Sequence, residues 1–126
     1  MLTIIETGHP HVAGFKIDGR LEKSDVDLLV DQTKAKLQGM ADAGDDRGLR
    51  VYVEVVHFGG ISLEGLVAEV KGIFPHLGDL KKKAVVSNLS WADTLTKLFQ
   101  PIGKRWIEGR HFSPDESAEA LAWAAE

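Results

Sequence analysis

Glu54, His57 and Ser62 are the residues of this chain whose types and spacing come nearest to hydrolytic chemistry. A serine nucleophile needs a histidine to remove its proton and a carboxylate to orient that histidine. Glu54 and His57 stand three positions apart in a strand-like segment, so their side chains are expected on opposite faces. No serine of the sequence stands in a nucleophile-elbow context. We therefore expect a non-enzymatic protein, with a hydrolase that uses Glu54 or His57 as the alternative.

The residue inventory also argues against a metal or a cofactor. The chain has no cysteine, which excludes disulfides, thiolate metal sites and cysteine nucleophiles. Its five histidines are scattered and lack the spacing and neighbouring ligands of a zinc site. Gly59-Gly60 lacks the further glycines of a dinucleotide fingerprint or a P-loop, and also the P-loop lysine. We expect no bound metal and no cofactor.

Two predicted strands would bring the polar residues to one edge of a sheet. Leu49–Phe58 is almost continuously apolar, which indicates a strand covered on both faces, and Lys83–Ser87 is predicted as a short buried strand. Gly59-Gly60 is expected to end the first strand, and Ser62 to cap a helix. Ligands bind at the carboxyl ends of strands in open α/β sheets. The predicted ligand-binding residues at this edge are Glu54, His57, Phe58, Gly59, Gly60, Ser62, Asn88 and Trp91.

The same residues have plainer structural explanations. Glu54 can lie on an exposed edge or accept hydrogen bonds from neighbouring groups, since buried carboxylates are almost always paired. Ser62 can act only as a helix cap. Gly59-Gly60 can serve only as a turn. Both sets of explanations stay open at this stage.

A second candidate surface lies in the segment Lys81–Arg110. This segment carries seven Lys or Arg residues and two acids, a local charge of +5 in a chain of net charge −4. It also contains Trp91, Phe99 and Trp106. Tryptophan beside basic residues suits the headgroup region of an anionic membrane. The predicted membrane-associating residues are Trp91, Leu95, Lys97, Leu98, Phe99, Ile102, Lys104, Arg105 and Trp106.

Alternatives remain for this basic segment. A helix from Ser90 to the neighbourhood of Pro101 would carry its apolar residues on one face, and that face can simply pack on the sheet. Both interpretations hold if the helix is a mobile lid, which could also cover a small apolar or amphipathic ligand. Lys81-Lys82-Lys83 is interpreted as solubilising residues beside a buried strand, with phosphate binding as the alternative. Nucleic-acid binding is not expected, because the chain is acidic and shows no recognition motif.

The remaining elements complete an α/β pattern. Leu2–Glu6 and Val12–Ile17 are predicted as an antiparallel hairpin, and a helix is expected from Ser24, with Asp27 in capping-box spacing. A last strand is expected over about 105–112. A C-terminal helix with Ala118, Leu121, Ala122 and Ala125 inward should begin at Ser113-Pro114-Asp115-Glu116. The order β-β-α-β-α-β-α-β-α predicts one domain over residues 1–126, with a mostly parallel sheet, an antiparallel N-terminal strand and four flanking helices.

Composition agrees with an ordinary globular protein, at 44% hydrophobic and 27% charged residues. The N-terminus does not resemble a signal peptide, and no apolar stretch approaches the ~20 residues that span a bilayer. We expect a cytoplasmic protein, with peripheral membrane association as part of the hypothesis. Sheet edges often pair, so a homodimer stays open.

The chain resembles the SpoIIAA-like family, small bacterial proteins related to STAS domains and without an established activity. The matching residues run from Ile5-Glu6 to Gly14-Phe15, through Val51-Tyr52-Val53-Glu54 and Phe58-Gly59-Gly60, to Ala84–Asn88 before Trp91. The resemblance covers nearly the whole chain. It implies a SpoIIAA/STAS-like fold and a binding or regulatory role.

The resemblance also suggests a protein-interaction module. Classical anti-sigma-factor antagonists carry a D-S-S-G-L motif whose second serine is phosphorylated. Aligned on Gly65-Leu66, this chain has Glu64 at the phosphoacceptor position and Leu63 before it. Switching by phosphorylation at that position is therefore not expected, although Ser62 remains an alternative acceptor. A protein partner would be recognised through the segment Gly59–Leu66.

Overall fold

The computed structural model describes residues 1–61, 80–87 and 108–126. Its strands are β1 (Leu2–Ile5), β2 (Val12–Leu21), β3 (Leu49–Ile61), β4 (Leu80–Val86) and β5 (Glu108–Phe112). They form one sheet in the order β1-β2-β3-β4-β5. The β1–β2 pair is antiparallel and the other neighbours are parallel. The predicted α/β class, with its antiparallel N-terminal strand, is confirmed.

Two helices flank the sheet in the described part of the chain. The N-terminal helix is Lys23–Asp42, and the C-terminal helix is Ser117–Ala125, preceded by a 3₁₀ turn at Pro114–Glu116. The predicted helices that start at Ser62 and Ser90 lie outside the described residues. Within the described ranges, no helix is long and apolar enough to cross a membrane.

The sheet is packed on both faces. On the face covered by the N-terminal helix, the buried cluster consists of Leu2, Ala13, Phe15, Ile17, Leu21, Met40, Leu49, Val55 and Val85. On the face covered by the C-terminal helix, it consists of Val12, Tyr52, Ala84, Val86, Phe112, Ala120 and Ala124. β3 contributes Val55 to the first cluster and Tyr52 to the second. Because both faces need apolar residues, β3 has an almost continuous apolar sequence, as predicted.

The N-terminal helix begins one residue earlier than predicted and is capped differently. Glu22 is the N-cap, and its N–H donates to Oδ2 of Asp25 at 2.9 Å. The other carboxylate oxygen of Asp25 accepts the N–H of Leu2 at 3.1 Å, which ties the helix start to β1. The predicted Ser24–Asp27 capping box is therefore wrong. Asp27 instead pairs with Lys23 along the helix surface at 2.9 Å.

The C-terminal helix starts where the sequence predicts, and its predicted inward face is correct in part. The Ser113 hydroxyl donates to Oε1 of Glu116 at 2.7 Å, and the Ser113 N–H donates to the same oxygen at 3.0 Å. The predicted inward residues Leu121 and Ala125 pack against the buried Ala120 and Ala124, whereas Ala118 and Ala122 are exposed. The first turn is a 3₁₀ helix with about 3.0 residues per turn, so an α-helical count from Ser113 is displaced from the buried face.

Candidate functional site

Five of the predicted ligand-binding residues are described, and all lie in β3. These are Glu54, His57, Phe58, Gly59 and Gly60. The predicted residues Ser62, Asn88, Trp91, Leu95, Lys97, Leu98, Phe99, Ile102, Lys104, Arg105 and Trp106 lie outside the described residues. The described part of the candidate site is therefore the carboxyl end of β3 together with its neighbours in β2 and β4.

The prediction that Gly59-Gly60 ends β3 is wrong, because the strand continues to Ile61. Its register against β2 shifts twice: Ile17 pairs with Val55 but Asp18 with His57, and a second shift follows Gly19. Each shift inserts one extra residue into β3, as in a β-bulge. Gly60 has φ of +95°, a conformation that glycine adopts without strain. The second bulge accommodates Gly59-Gly60 within the strand, so the glycine pair does not end it.

The first bulge changes which side chains share a face. Val55 and Phe58 both pack against the cluster under the N-terminal helix, although they are three residues apart. Strict alternation therefore fails across Val56, and it cannot be used to separate Glu54 from His57. The two side chains nevertheless have different partners. Glu54 accepts a hydrogen bond from Tyr52, and Nδ1 of His57 lies 3.1 Å from Oδ1 of Asp18.

Tyr52 and Glu54 form a polar pair beneath the start of the C-terminal helix. The buried Tyr52 hydroxyl donates to Oε1 of Glu54 at 3.0 Å. Burial raises the pKa of Tyr52, the Glu54 carboxylate raises it further, and a hydrogen bond with Ser117 acts in the opposite direction. The phenol therefore stays neutral over the physiological pH range. Of the two structural explanations for Glu54, hydrogen bonding to a neighbouring group is the one that the structure shows.

The His57–Asp18 pair lies at the same edge but is open to solvent. The His57 side chain is 75% exposed and that of Asp18 58% exposed. An exposed pair of this kind contributes little to stability, because water screens it. Both side chains are therefore accessible to a ligand or a partner at the carboxyl end of β3.

The ends of β4 and β5 are joined at Ser87, directly before the predicted ligand-binding residue Asn88. Ser87 is buried, and its N–H donates to the carbonyl of Phe112 at 3.0 Å. Its carbonyl lies 2.8 Å from Nε2 of His111. This junction fixes the point at which the chain leaves β4.

Three of the four described basic residues in the segment Lys81–Arg110 contact aromatic rings or are buried. Lys82 donates from Nζ to the carbonyl of Trp123 at 3.1 Å, and Nζ lies 4.8 Å from the centre of that ring. Lys83 is 8% exposed, and burial lowers its pKa to about 8. Arg110 stacks over Phe112 at 5.1 Å. The interpretation of Lys81-Lys82-Lys83 as solubilising residues is wrong for Lys82 and Lys83, while Lys81 is exposed.

A model of the SpoIIAA-like family matches residues 12–125 of the chain. The chain belongs to the SpoIIAA-like family. A crystal structure of an uncharacterized protein with a SpoIIAA-like fold from Shewanella loihica superposes with a TM-score of 0.68 and 18% identity, over 98% of this chain and 92% of that one. At that identity, the likeness supports the fold alone. No curated protein matches the chain.

Sequence reasoning missed two buried residues of this SpoIIAA-like domain at the opposite edge of the sheet. His11 and Arg50 lie at the amino ends of β2 and β3, and their backbones are joined by a hydrogen bond of 2.9 Å from the Arg50 N–H to the His11 carbonyl. Arg50 interrupts the apolar sequence of β3 as Glu54 does, and that interruption was the available signal. In the described part of the domain, no group of three His, Asp or Glu side chains could hold a metal ion.

Proposed function

We propose that this SpoIIAA-like chain is a non-enzymatic binding module that associates peripherally with an anionic membrane surface through the segment Trp91–Trp106. The observation that carries the proposal is the composition of Lys81–Arg110, whose local charge is +5 although the whole chain is acidic. Aromatic residues that suit a headgroup region stand in the same segment. The proposed location is the cytoplasmic face of a membrane.

The described contacts narrow this proposal to fewer cations. Lys82 and Lys83 serve packing within the fold, so they add little to an outward basic surface. The other basic residues are Lys81, Lys97, Lys104, Arg105 and Arg110, of which Arg110 stacks on Phe112 but is exposed. Each basic residue near an anionic leaflet contributes about 1 kcal/mol, so five provide about 5 kcal/mol. That amount gives only weak binding, and Trp91, Phe99 and Trp106 are proposed to supply the remainder by insertion.

The non-enzymatic part of the proposal draws support from the end of β3. Glu54 is engaged by Tyr52 and His57 by Asp18, so these two residues are not joined in one catalytic hydrogen-bonded chain. The enzymatic alternative would need both side chains in a common pocket. It would be favoured by any hydrolytic turnover that is lost in Glu54→Gln or His57→Gln.

Liposome co-sedimentation tests the membrane proposal. We expect binding that depends on anionic lipid and is lost in Trp91→Ala/Phe99→Ala. A Lys97→Glu/Lys104→Glu/Arg105→Glu variant should also lose it. The matched control is Lys16→Glu/Lys23→Glu/Lys34→Glu, which makes the same charge change at three exposed lysines of β2 and the N-terminal helix. Equal losses in both triple variants would contradict a specific membrane-binding segment, as would absence of binding by the natural chain.

A small apolar or amphipathic ligand held between sheet and helices is the second form of the proposal. It draws support from the carboxyl end of β3, where Phe58 is half-buried and Val56 is 40% exposed. Native mass spectrometry of freshly purified protein is the test. A discrete added mass that disappears on denaturation would support it, and a bare chain mass would contradict it.

A protein-interaction role like that of anti-sigma-factor antagonists is the alternative, and membership of the family favours it. The exposed residues Val56 and His57 lie just before the segment Gly59–Leu66 that would recognise the partner, and Gly59 itself is exposed. Glu64 cannot be phosphorylated, so such an interaction would not be switched at that position. A pull-down should return one stoichiometric protein, and Glu64→Arg should abolish its capture.

A further inference from the structure

We propose that Arg50 and His11 form a binding site for a small oxyanion, a phosphate or a carboxylate group, beneath the last turn of the C-terminal helix. The site lies at the amino edge of the parallel strands. It is therefore distinct from the carboxyl edge, it contains none of the residues of the proposed membrane-associating segment, and it does not depend on the proposed function.

The sheet register fixes the position of Arg50. Arg50 pairs with Val12 of β2 on one side and with Lys82 of β4 on the other. Val12 belongs to the cluster under the C-terminal helix, and Lys82 contacts Trp123 of that helix. Because neighbours in register share a face of a parallel sheet, the Arg50 side chain lies on the same face.

His11 reaches the same end of the C-terminal helix. Its Nε2 lies 2.8 Å from the carbonyl of Ala125, in the last turn. Since a carbonyl only accepts, Nε2 carries the proton of this bond. Nδ1 then donates to an anion when the ring is protonated, or accepts a proton from a protonated phosphate when it is neutral.

Both side chains are buried, with polar atoms that have no partner. Arg50 is 8% exposed and His11 is 3% exposed. Nε and Nη1 of Arg50 and Nδ1 of His11 are buried and have no hydrogen-bond partner among the described residues. The ion pairs of the described ranges engage Asp45 with Arg47 and Glu22 with Arg20, and none includes Arg50.

The positive charge of Arg50 also requires a partner at this corner of the sheet. A guanidinium carries a positive charge, and burying a charge is costly unless an opposite charge or hydrogen bonds compensate it. Lys82 is its neighbour in register, and like charges at such positions repel. Lys82 is compensated by a helix carbonyl and a tryptophan ring. Arg50 lacks such partners in the described part of the chain.

An oxyanion would accept hydrogen bonds from the unpartnered N–H groups of Arg50 and would also compensate its positive charge. It supplies negative charge and several lone pairs, and the guanidinium is the side chain whose geometry best suits carboxylate and phosphate. The carbonyl end of the helix and the Asp45 carboxylate, which interacts with His11, already supply part of the negative charge. A neutral water would satisfy the N–H groups but add no charge. The chemistry therefore favours an anionic group, and phosphate and carboxylate remain two sources to be separated by experiment.

Isothermal titration calorimetry with inorganic phosphate and with acetate, at ionic strength held constant with NaCl, tests the proposal. We expect saturable binding of at least one anion. Amide resonances of His11, Arg50 and Ala125 should shift in the same titration. Arg50→Met should weaken binding about ten- to a hundredfold, because it removes a charge-assisted interaction. Arg20→Met, which removes one exposed positive charge at the other end of β2, should bind as the natural chain does.

The two anions identify the ligand class. Binding of phosphate alone indicates a phosphate-bearing ligand, and binding of acetate alone indicates a carboxylate. Arg50→Lys is a second variant, since lysine keeps the charge but loses the planar donor arrangement, and it should bind the anion more weakly than the natural chain does. Absence of saturable binding with either anion at about 10 mM would overturn the proposal. Equal affinity in the Arg50 and Arg20 variants would overturn it too.

Stability in anion-free buffer provides an independent check. Removal of an uncompensated buried charge should leave Arg50→Met at least as stable as the natural chain. A large loss of stability in that buffer would mean that Arg50 is already paired within the protein, which would also overturn the proposal. Phosphate or acetate should raise the unfolding temperature of the natural chain and not that of Arg50→Met.

Discussion

The hydroxyl of Tyr52 donates a 3.0 Å hydrogen bond to Oε1 of Glu54, two residues further along the central strand β3. Residues two apart on a strand share a face, so the apolar strand carries its carboxylate beside a donor. This pair explains how Glu54 is accommodated next to a buried cluster. It also shows that a polar residue within an apolar strand need not indicate catalysis.

Removal of the Tyr52 hydroxyl should therefore destabilise the fold. In Tyr52→Phe, the half-buried Glu54 carboxylate loses its donor, and we expect a loss of about 1–3 kcal/mol in the free energy of unfolding. Urea denaturation at pH 7 measures the loss. Glu54→Gln keeps an acceptor for the phenol and should cost less than Tyr52→Phe. If Tyr52→Phe is as stable as the natural chain, the hydrogen bond has no net stabilising effect.

The same pair predicts a pH dependence at alkaline pH. The pKa of Tyr52 is raised in the folded state, so above the ordinary tyrosine pKa of about 10 the unfolded chain loses a proton that the folded chain retains. The Tyr52 contribution is complete below that pH and falls as pH rises above it. Urea titrations between about pH 9 and pH 11 should show a shallower decline in Tyr52→Phe. An identical decline would contradict the raised pKa.

Lys83 should give the free energy of unfolding a pH dependence of the opposite sign. Burial lowers its folded pKa to about 8, whereas an unfolded lysine titrates near 10.4. Between these values the unfolded chain binds more protons, so the contribution of Lys83 makes stability rise with pH. A Lys83→Met variant should lack this rise, while Lys34→Met, at an exposed lysine of the N-terminal helix, should retain it. A rise that persists in Lys83→Met would assign the slope to another group.

The strand β3 shows how much of the fold could be predicted from the sequence alone. The apolar run Leu49–Phe58 was sufficient to predict a strand covered on both faces, because both clusters draw on it. The end of the strand was not predictable, since glycine pairs serve turns and bulges alike. The register of β3 against β2 decides whether the glycine pair forms a turn or a bulge. Register depends on both strands, so the sequence pattern of one segment cannot predict it.

The candidate site was predictable to a similar extent. The sequence correctly predicted a mostly parallel sheet, and Glu54, His57 and Phe58 lie in its central strand. It could not assign partners, because the contacts of Glu54 with Tyr52 and of His57 with Asp18 depend on face and register. Nor could it tell that Lys82 and Lys83 turn inward, since a lysine triplet has the same composition in solvent or against a helix. Charge counts therefore overestimated the outward basic surface.

Gly14 provides a stringent test of the antiparallel β1–β2 pair. A Cβ at Gly14 would lie 2.7 Å from the carbonyl oxygen of Ile5 and 2.7 Å from Cγ2 of Thr7. Gly14→Ala should therefore cost about 1–3 kcal/mol through overpacking. Gly39 in the N-terminal helix has open space at its Cβ position, so Gly39→Ala should stabilise the protein by about 0.5–1 kcal/mol. Urea denaturation should show changes of opposite sign in the free energy of unfolding of the two variants. Changes of the same sign would contradict the close packing around Gly14.

Lys82 and Lys81 are adjacent in sequence but differ in their contacts, which allows the docking of the C-terminal helix to be measured. Lys82 donates to the carbonyl of Trp123 near the negative end of the helix dipole and stacks on its ring, whereas Lys81 is exposed. Lys82→Met should lower the free energy of unfolding by about 1–2 kcal/mol.

Lys81→Met removes the same charge from the same strand and should change the free energy of unfolding by less than about 0.5 kcal/mol. Hydrogen exchange localises the effect, because amides of the C-terminal helix should exchange faster in Lys82→Met while those of the N-terminal helix keep their protection. If both substitutions cost the same, the effect is one of overall charge. The cation would then have no specific role in holding the helix, and the inward orientation of Lys82 would carry no energetic weight.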